Sequence, residues 1–140
     1  MSGEAFVDTN VLVYAYDRRS GEKTARAQKL LAELWQGKRG AISTQVLQEF
    51  CIYARRKFAV PMLLEQVQQV VQLYREWHVV VNTTQSILRA LELEKRYSLS
   101  FWDAMIVQAA QSAGCEILYS EDLSHGQEYD GVLVVNPFTA

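Results

Sequence analysis

Histidine, cysteine and proline each occur only twice in these 140 residues, and each scarcity excludes something. Cys51 and Cys115 stand alone, with no CxxC and no neighbouring histidine, so neither a disulfide scaffold nor a zinc site is indicated. Two buried thiols in a reducing cytosol are the plainer reading, and the expected location is cytoplasmic. His78 and His125 have no obvious nucleophile beside them in sequence, which leaves no Ser-His-Asp or Cys-His pairing. Pro61 and Pro137 fall where a helix starts and where the chain ends. No apolar run approaches the ~20 residues that a membrane helix needs. The opening Met1-Ser2-Gly3-Glu4 lacks the basic stretch of a signal peptide. Net charge is small as well: 14 basic against 16 acidic residues give −2, hence no overall attraction to nucleic acid. The halves differ, since residues 1–57 hold ten basic and six acidic residues (+4) and residues 58–140 hold four and ten (−6).

What is present describes a folded chain. Hydrophobic residues at 49% against 21% charged exclude disorder. A chain of this length buries about two thirds of its unfolded surface, and residues 1–140 are expected to form one domain. No repeat, low-complexity tract or linker interrupts it. Strand and helix signals alternate, which predicts an α/β fold with a mostly parallel sheet covered on both faces. Ala5 to Val7 is a predicted strand, with Thr9 or Asn10 capping a helix through Tyr16. A helix from Glu22 to about Gln36 carries Ala27, Leu30, Leu31 and Leu34 at helical spacing, and Gly37 and Gly40 are expected to close it. Ala41-Ile42-Ser43 is a strand, followed by a helix to about Phe58 with a core stripe of Leu47, Phe50, Cys51 and Ala54. Pro61 fits the first turn of a helix from about Met62 to Trp77. The strand 78–81 leads to a helix capped by Thr83-Thr84 and ending near Tyr97. Another helix runs from Ser100 to Ala113 with Gly114 as its stop. Residues 116–119 and 132–135 are the last strands.

Four acids stand out by position. Asp8 and Asp122 each follow a strand, Asp103 lies in the first turn of a helix, and Glu49 lies one turn into another. In a parallel sheet, strand ends and the first turns of the following helices share one edge, where ligands bind. Each acid has a plainer role taken singly: Asp8 can cap a helix, Asp103 complements the helix dipole by ~0.3–1 kcal/mol, Glu49 can be a solvated helix residue, and Asp122 a loop residue. Converged, four ionised carboxylates require a compensating cation. An all-oxygen donor set favours a hard ion, Mg²⁺ or Mn²⁺, over zinc. Such an ion acidifies bound water and stabilises charge on a phosphoryl oxygen, so phosphodiester hydrolysis is the matching reaction class.

The motifs FVDTNVLVY, STQVLQEF, LSFWDAMIV and ILYSEDLSHG, in this order and at these spacings, closely resemble the PIN domain. Within that family the chain looks like the toxin ribonucleases of bacterial VapBC-type toxin–antitoxin pairs. The likeness spans essentially the whole chain. It implies a three-layer α/β/α sandwich with a Mg²⁺- or Mn²⁺-dependent endoribonuclease site. By matching position, Asp8, Glu49, Asp103 and Asp122 become the acidic, metal-holding quartet. Asn10 and Ser120 become the polar helpers that orient an acid or a metal-bound water, and Glu121 takes a minor role at most. A homodimer and a small antitoxin protein as partner are likewise implied. The alternatives are a PIN nuclease of RNA maturation or DNA processing, and a catalytically silent binding module on the same fold. A haloacid dehalogenase-type phosphatase needs a second Asp two residues after the first, where Asn10 stands.

Some features remain outside this scheme. Arg55-Arg56-Lys57 can complement the dipole at a helix C-terminus or contact RNA phosphates. Arg18, Arg19, Lys23 and Arg26 are weaker candidates of the same kind. Trp102 is expected in the core with Ile106 and Ala109, with base stacking as the alternative. Trp35 and Trp77 are read as covering sheet edges or sitting in a partner interface. Tyr14, Tyr53 and Phe58 are candidates for an apolar groove that receives an antitoxin helix.

Overall fold

The computed structural model describes residues 4–139. The sheet is built from β1 (Ala5–Val7), β2 (Gly40–Ser43), β3 (His78–Val80), β4 (Ile117–Tyr119), β5 (Glu128–Tyr129) and β6 (Val132–Val135), in the spatial order β3-β2-β1-β4-β6-β5. Every pairing is parallel except β5 with β6. Between them run α1 (Thr9–Tyr16), α2 (Glu22–Gly37), α3 (Thr44–Arg56), α4 (Leu64–Tyr74), α5 (Thr84–Tyr97) and α6 (Phe101–Ser112). Helix α1 packs between α2 and α3, α3 packs with α4, and α5 packs with α6. This division follows from right-handed crossovers: the chain moves outward from β1 to β3, then reverses to reach β4 on the other side of β1. The result is a three-layer sandwich.

The central strands read as continuous apolar runs because both faces are covered. Phe6, Val7, Ile42, Leu118 and Val134 have no exposed surface. The amphipathic helices supply the covering layers, with Ala27, Leu31 and Leu34 of α2 buried as their spacing predicts.

Several boundaries differ from expectation for identifiable reasons. Asp8 itself caps α1, its side chain accepting from Thr9 N, so neither Thr9 nor Asn10 is the cap. Gly37 lies inside α2, and Lys38 ends the helix in the left-handed region (φ 53°). Gly40 does not terminate a helix. It opens β2, where an added Cβ would fall 2.5 Å from the indole of Trp77. That indole is buried against Trp35 and Tyr74, with ring centroids 5.4 and 4.9 Å away, whereas Trp35 itself is half-buried and lines a cleft with Tyr16 and Phe58. Helix α4 begins at Leu64, three residues after Pro61. The two-residue β5 carries too little alternation to be legible as a strand.

Candidate active site

Strands β1 and β4 lie side by side, but the chain leaves them in opposite directions, towards β2 and towards β6. Such a switch point opens a crevice at the carboxyl ends of the two strands, which is where α/β proteins place their sites. Val7 pairs with Tyr119, and Asp8 N donates to Tyr119 O at 3.0 Å. The segments Asp8-Thr9-Asn10 and Ser120-Glu121-Asp122 therefore emerge together.

Their side chains interlock. Ser120 Oγ donates to Asp8 Oδ2 at 2.7 Å and accepts from Asp122 N at 3.1 Å. Asn10 Nδ2 stands 3.4 Å from Asp8 Oδ2 and 3.2 Å from Asp122 Oδ2, while Asn10 Oδ1 accepts from Glu121 N at 3.1 Å. Asn10 and Ser120 thus each touch both strand-end acids. Asp8 is only 4% exposed. Burial, opposed by the hydrogen bonds from Ser120 and Thr9 and assisted by the charges of Asp122 and Glu49, raises its pKa from 3.8 to about 7. A carboxyl group so perturbed is a feature of functional sites.

The two helix-borne acids approach from other elements. Asp103 sits in the first turn of α6, its backbone N–H donating to the cap Ser100 Oγ at 3.2 Å. Desolvation pushes its pKa up, Ser100 opposes this, and the charge of Asp122 adds to it. Glu49 on α3 is exposed, and its Oε1 accepts from Thr9 Oγ1 at 2.5 Å while Gln45 Nε2 lies 3.4 Å from its Oε2. Charge interactions thus link Asp8 to Asp122 and Glu49, and Asp103 to Asp122, although Glu49 is turned towards Thr9.

This donor set is all oxygen and anionic, and so suits a hard divalent cation in its chemistry. The buried Asp8 carboxyl supplies the physical reason, since it ionises at neutral pH only against the cost of its burial and, less, its neighbours' repulsion. As placed, no three Asp, Glu, His or Cys side chains among the described residues are grouped closely enough to hold an ion. Side-chain rotation would be needed to close ligands around one. The histidines lie elsewhere: His78 Nδ1 is 2.9 Å from Glu4 Oε1, and His125 Nδ1 accepts from Asn136 N.

A cleft of about 660 Å³ adjoins the acids, lined in part by Glu49, Asp122, Tyr53, Lys57 and Trp102. Trp102 is 61% exposed, not in the core, because position two of α6 faces the cleft while Ile106 and Ala109 face inward. Tyr14 and Tyr53 line this cleft, but Phe58 is buried and lines a separate one with Tyr16, Trp35 and Pro61. The three do not share one groove. Of Arg55, Arg56 and Lys57, all exposed, Lys57 lines the cleft, and Arg55 Nε donates to Cys51 O.

Two roles escaped the sequence reading. Thr9 and Gln45 hold Glu49, and Gln45, itself buried, also stands on Trp102 O at 3.5 Å, with its own Oε1 lacking a partner. The i,i+4 spacing of Gln45 and Glu49 was the available signal. Lys23, read as a phosphate candidate, instead forms an ion pair with Glu121, which also accepts from Tyr14 OH at 2.5 Å.

Comparison with curated proteins finds no match. Among solved structures, a toxin–antitoxin complex from Klebsiella pneumoniae is 25% identical, with a TM-score of 0.69 over 98% of this chain and 100% of the other. VapC20 of Mycobacterium tuberculosis, described as a sarcin–ricin loop cleaving toxin, is 22% identical, with a TM-score of 0.60 over 84% and 88%. The DNA-bound VapBC complex of Salmonella typhimurium is 20% identical, with a TM-score of 0.64 over 94% and 96%. The PIN domain family model matches residues 5–127. With its elements, their order and most of its length accounted for in this way, the chain belongs to the PIN domain family.

Proposed function

We propose that this protein is a divalent-metal-dependent endoribonuclease, and that it serves as the toxin of a toxin–antitoxin pair, silenced by a small antitoxin protein. One observation carries the catalytic part. Asp8, buried at a switch point, is pressed by Asp122 and Glu49 and bound to Asp122 through Ser120 and Asn10. Such an arrangement costs stability and is hard to explain as packing alone. The likeness to toxin–antitoxin structures, one of them described as cleaving an RNA loop, supports the biological part.

Asp8, Asp103 and Asp122 would hold Mg²⁺ or Mn²⁺, with Glu49 joining directly or through water. When bound, the ion supplies an acidified water and charge stabilisation at the phosphoryl oxygens. The chain's own residues do the rest. Ser120 fixes the Asp8 carboxylate by donating to Oδ2, and Asn10 spaces Asp8 from Asp122. Glu49, which accepts a hydrogen bond from Thr9, would take the proton that the attacking water loses. Cytoplasmic action and a homodimer belong to the same reading. Among the described residues, no helix is long and apolar enough to cross a membrane.

The test is cleavage of RNA by the purified chain in Mg²⁺, Mn²⁺ and EDTA, with Asp8→Asn and Asp103→Asn as variants. Metal-dependent cleavage lost in both folded variants is the expected result. The open arrangement of the acids is what favours the silent binding module, and cleavage unaffected by either variant, or none by the parent, would decide for a reading other than this one.

A further inference from the structure

Trp102 is exposed where an indole has much to lose. Trp77 is buried and Trp35 half-buried, yet Trp102 leaves 61% of its surface to solvent. It is nevertheless held in place. Phe101 braces the ring edge-on, with centroids 5.1 Å apart, and Gln45 Nε2 stands against its backbone carbonyl. The neighbouring residue is Asp103, and the cleft that Trp102 lines also contains Glu49 and Asp122. The remaining apolar lining includes Ile52 and Tyr53 of α3, 47% and 41% exposed, with Lys57 just beyond that helix. A flat aromatic surface, a cation and an acidic wall thus share one cleft, whose size suits a small organic group.

We infer that Trp102 is a stacking platform for an unpaired base of the RNA substrate, next to the phosphate under attack. This rests on the ribonuclease reading above and adds how the substrate strand is held. Every base offers a π-face, so stacking on an exposed indole works without a sequence code. Lys57 in the same cleft matches the charge of the adjoining backbone phosphate. A nucleotide reaching the acids brings the phosphate on which they would act, which a peptide does not. The base is therefore the occupant that uses all three features.

The experiment uses the full chain carrying Asp8→Asn, so that RNA is bound and not cut, titrated in magnesium buffer with short single-stranded oligo(A). Affinity is compared among Trp102, Trp102→Phe and Trp102→Ala, each with intact oligonucleotide and with one made abasic at successive positions. Trp102→Ala should bind about 10- to 100-fold more weakly, and Trp102→Phe should recover most of the loss. One abasic position should cost the Trp102 protein a similar factor and cost Trp102→Ala almost nothing. Quenching of indole fluorescence on binding should be lost in both variants, because Trp102 is the most exposed of the three tryptophans. Equal affinity of Trp102→Ala and its parent overturns the inference, as does an abasic penalty that persists in Trp102→Ala. A Trp102→Ala protein that binds RNA normally but no longer binds a co-expressed partner protein overturns it in favour of a protein surface. Cleavage assays of the corresponding active proteins separate the two readings: cleavage intact but indifferent to Trp102 defeats only the stacking role. No cleavage by the parent defeats the ribonuclease reading itself.

Discussion

Replacing Asp8 by Asn should stabilise the metal-free protein at alkaline pH and leave it roughly unchanged in mild acid. Burial above all, with the charges of Asp122 and Glu49, raises the Asp8 pKa from 3.8 to about 7 against the pull of two hydrogen bonds. The folded state then keeps a proton that the unfolded chain releases, so stability due to this group falls as pH climbs from about 4 to about 7 and stays low above. At about 1.36 kcal/mol per tenfold change the whole window is worth ~4 kcal/mol, with ~3 kcal/mol of it between about pH 5 and pH 8. Asn has no such slope. It still offers Oδ1 to Thr9 N, but its amide faces the donors on Ser120 and Asn10, at a cost of ~1–2 kcal/mol. The two costs are about equal near pH 5, and near pH 8 the variant should lead by ~2 kcal/mol, roughly 6 °C in Tm for a chain of this size. Denaturant melts of both proteins in EDTA across this range measure the difference. Mg²⁺ should then raise the parent's stability and flatten its slope, since an ion at Asp8 binds the folded state alone. Parallel pH curves for the two proteins, or a variant less stable at pH 8 than at pH 5 relative to the parent, would refute the reasoning.

Ser120→Ala removes the donor to Asp8 and the acceptor of Asp122 N in one step, and should destabilise by ~1–3 kcal/mol in chemical denaturation. Because that hydrogen bond holds the Asp8 pKa down, the same variant should shift the pH slope towards higher pH. Gly40→Ala drives a Cβ into the Trp77 indole, which Trp35 and Tyr74 hold in place, and should cost ~1–3 kcal/mol with altered tryptophan emission. Lys23→Met breaks an ion pair whose lysine side chain is 43% exposed, so thermal melts should show a loss below ~1 kcal/mol.

Reading the sequence recovered what depends on local pattern. Parallel strands appear as short apolar runs, and helices as 3.6-residue stripes, because each is decided within a few residues. The acids were legible for the same reason: each sits a fixed step from a strand end or a helix start. What stayed hidden depends on partners far along the chain. Gly40 looks like a helix stop until Trp77 is seen lying where its Cβ would be. Lys23 looks like a free cation until Glu121, ninety-eight residues on, takes it. Trp102 has core-like spacing with Ile106 and Ala109, but nothing local says that position two of α6 opens on a cleft rather than on the sheet. The turning of Glu49 towards Thr9 is a matter of rotamers, which no spacing encodes.

The core and the site are one constraint. Ser120 lies 112 residues beyond Asp8, and their hydrogen bond exists because β1 and β4 pair in a single register, Phe6 with Leu118 and Val7 with Tyr119. In a strand, side chains alternate faces, so a slip of one residue would send Asp8 and Ser120 to opposite sides of the sheet. Phe6, Val7 and Leu118, each without exposed surface, make that slip costly, because both faces of the sheet are covered and every side chain of the shifted strand would have to fit packing shaped for another residue. Apolar residues with no chemistry of their own therefore set which polar atoms meet. Asn10, at the start of α1, and Asp122, in the loop after β4, are carried along by the same register. A buried carboxyl raised to about 7 is a local instability, and the sheet tolerates it because the burial that creates it also fixes the strands on either side.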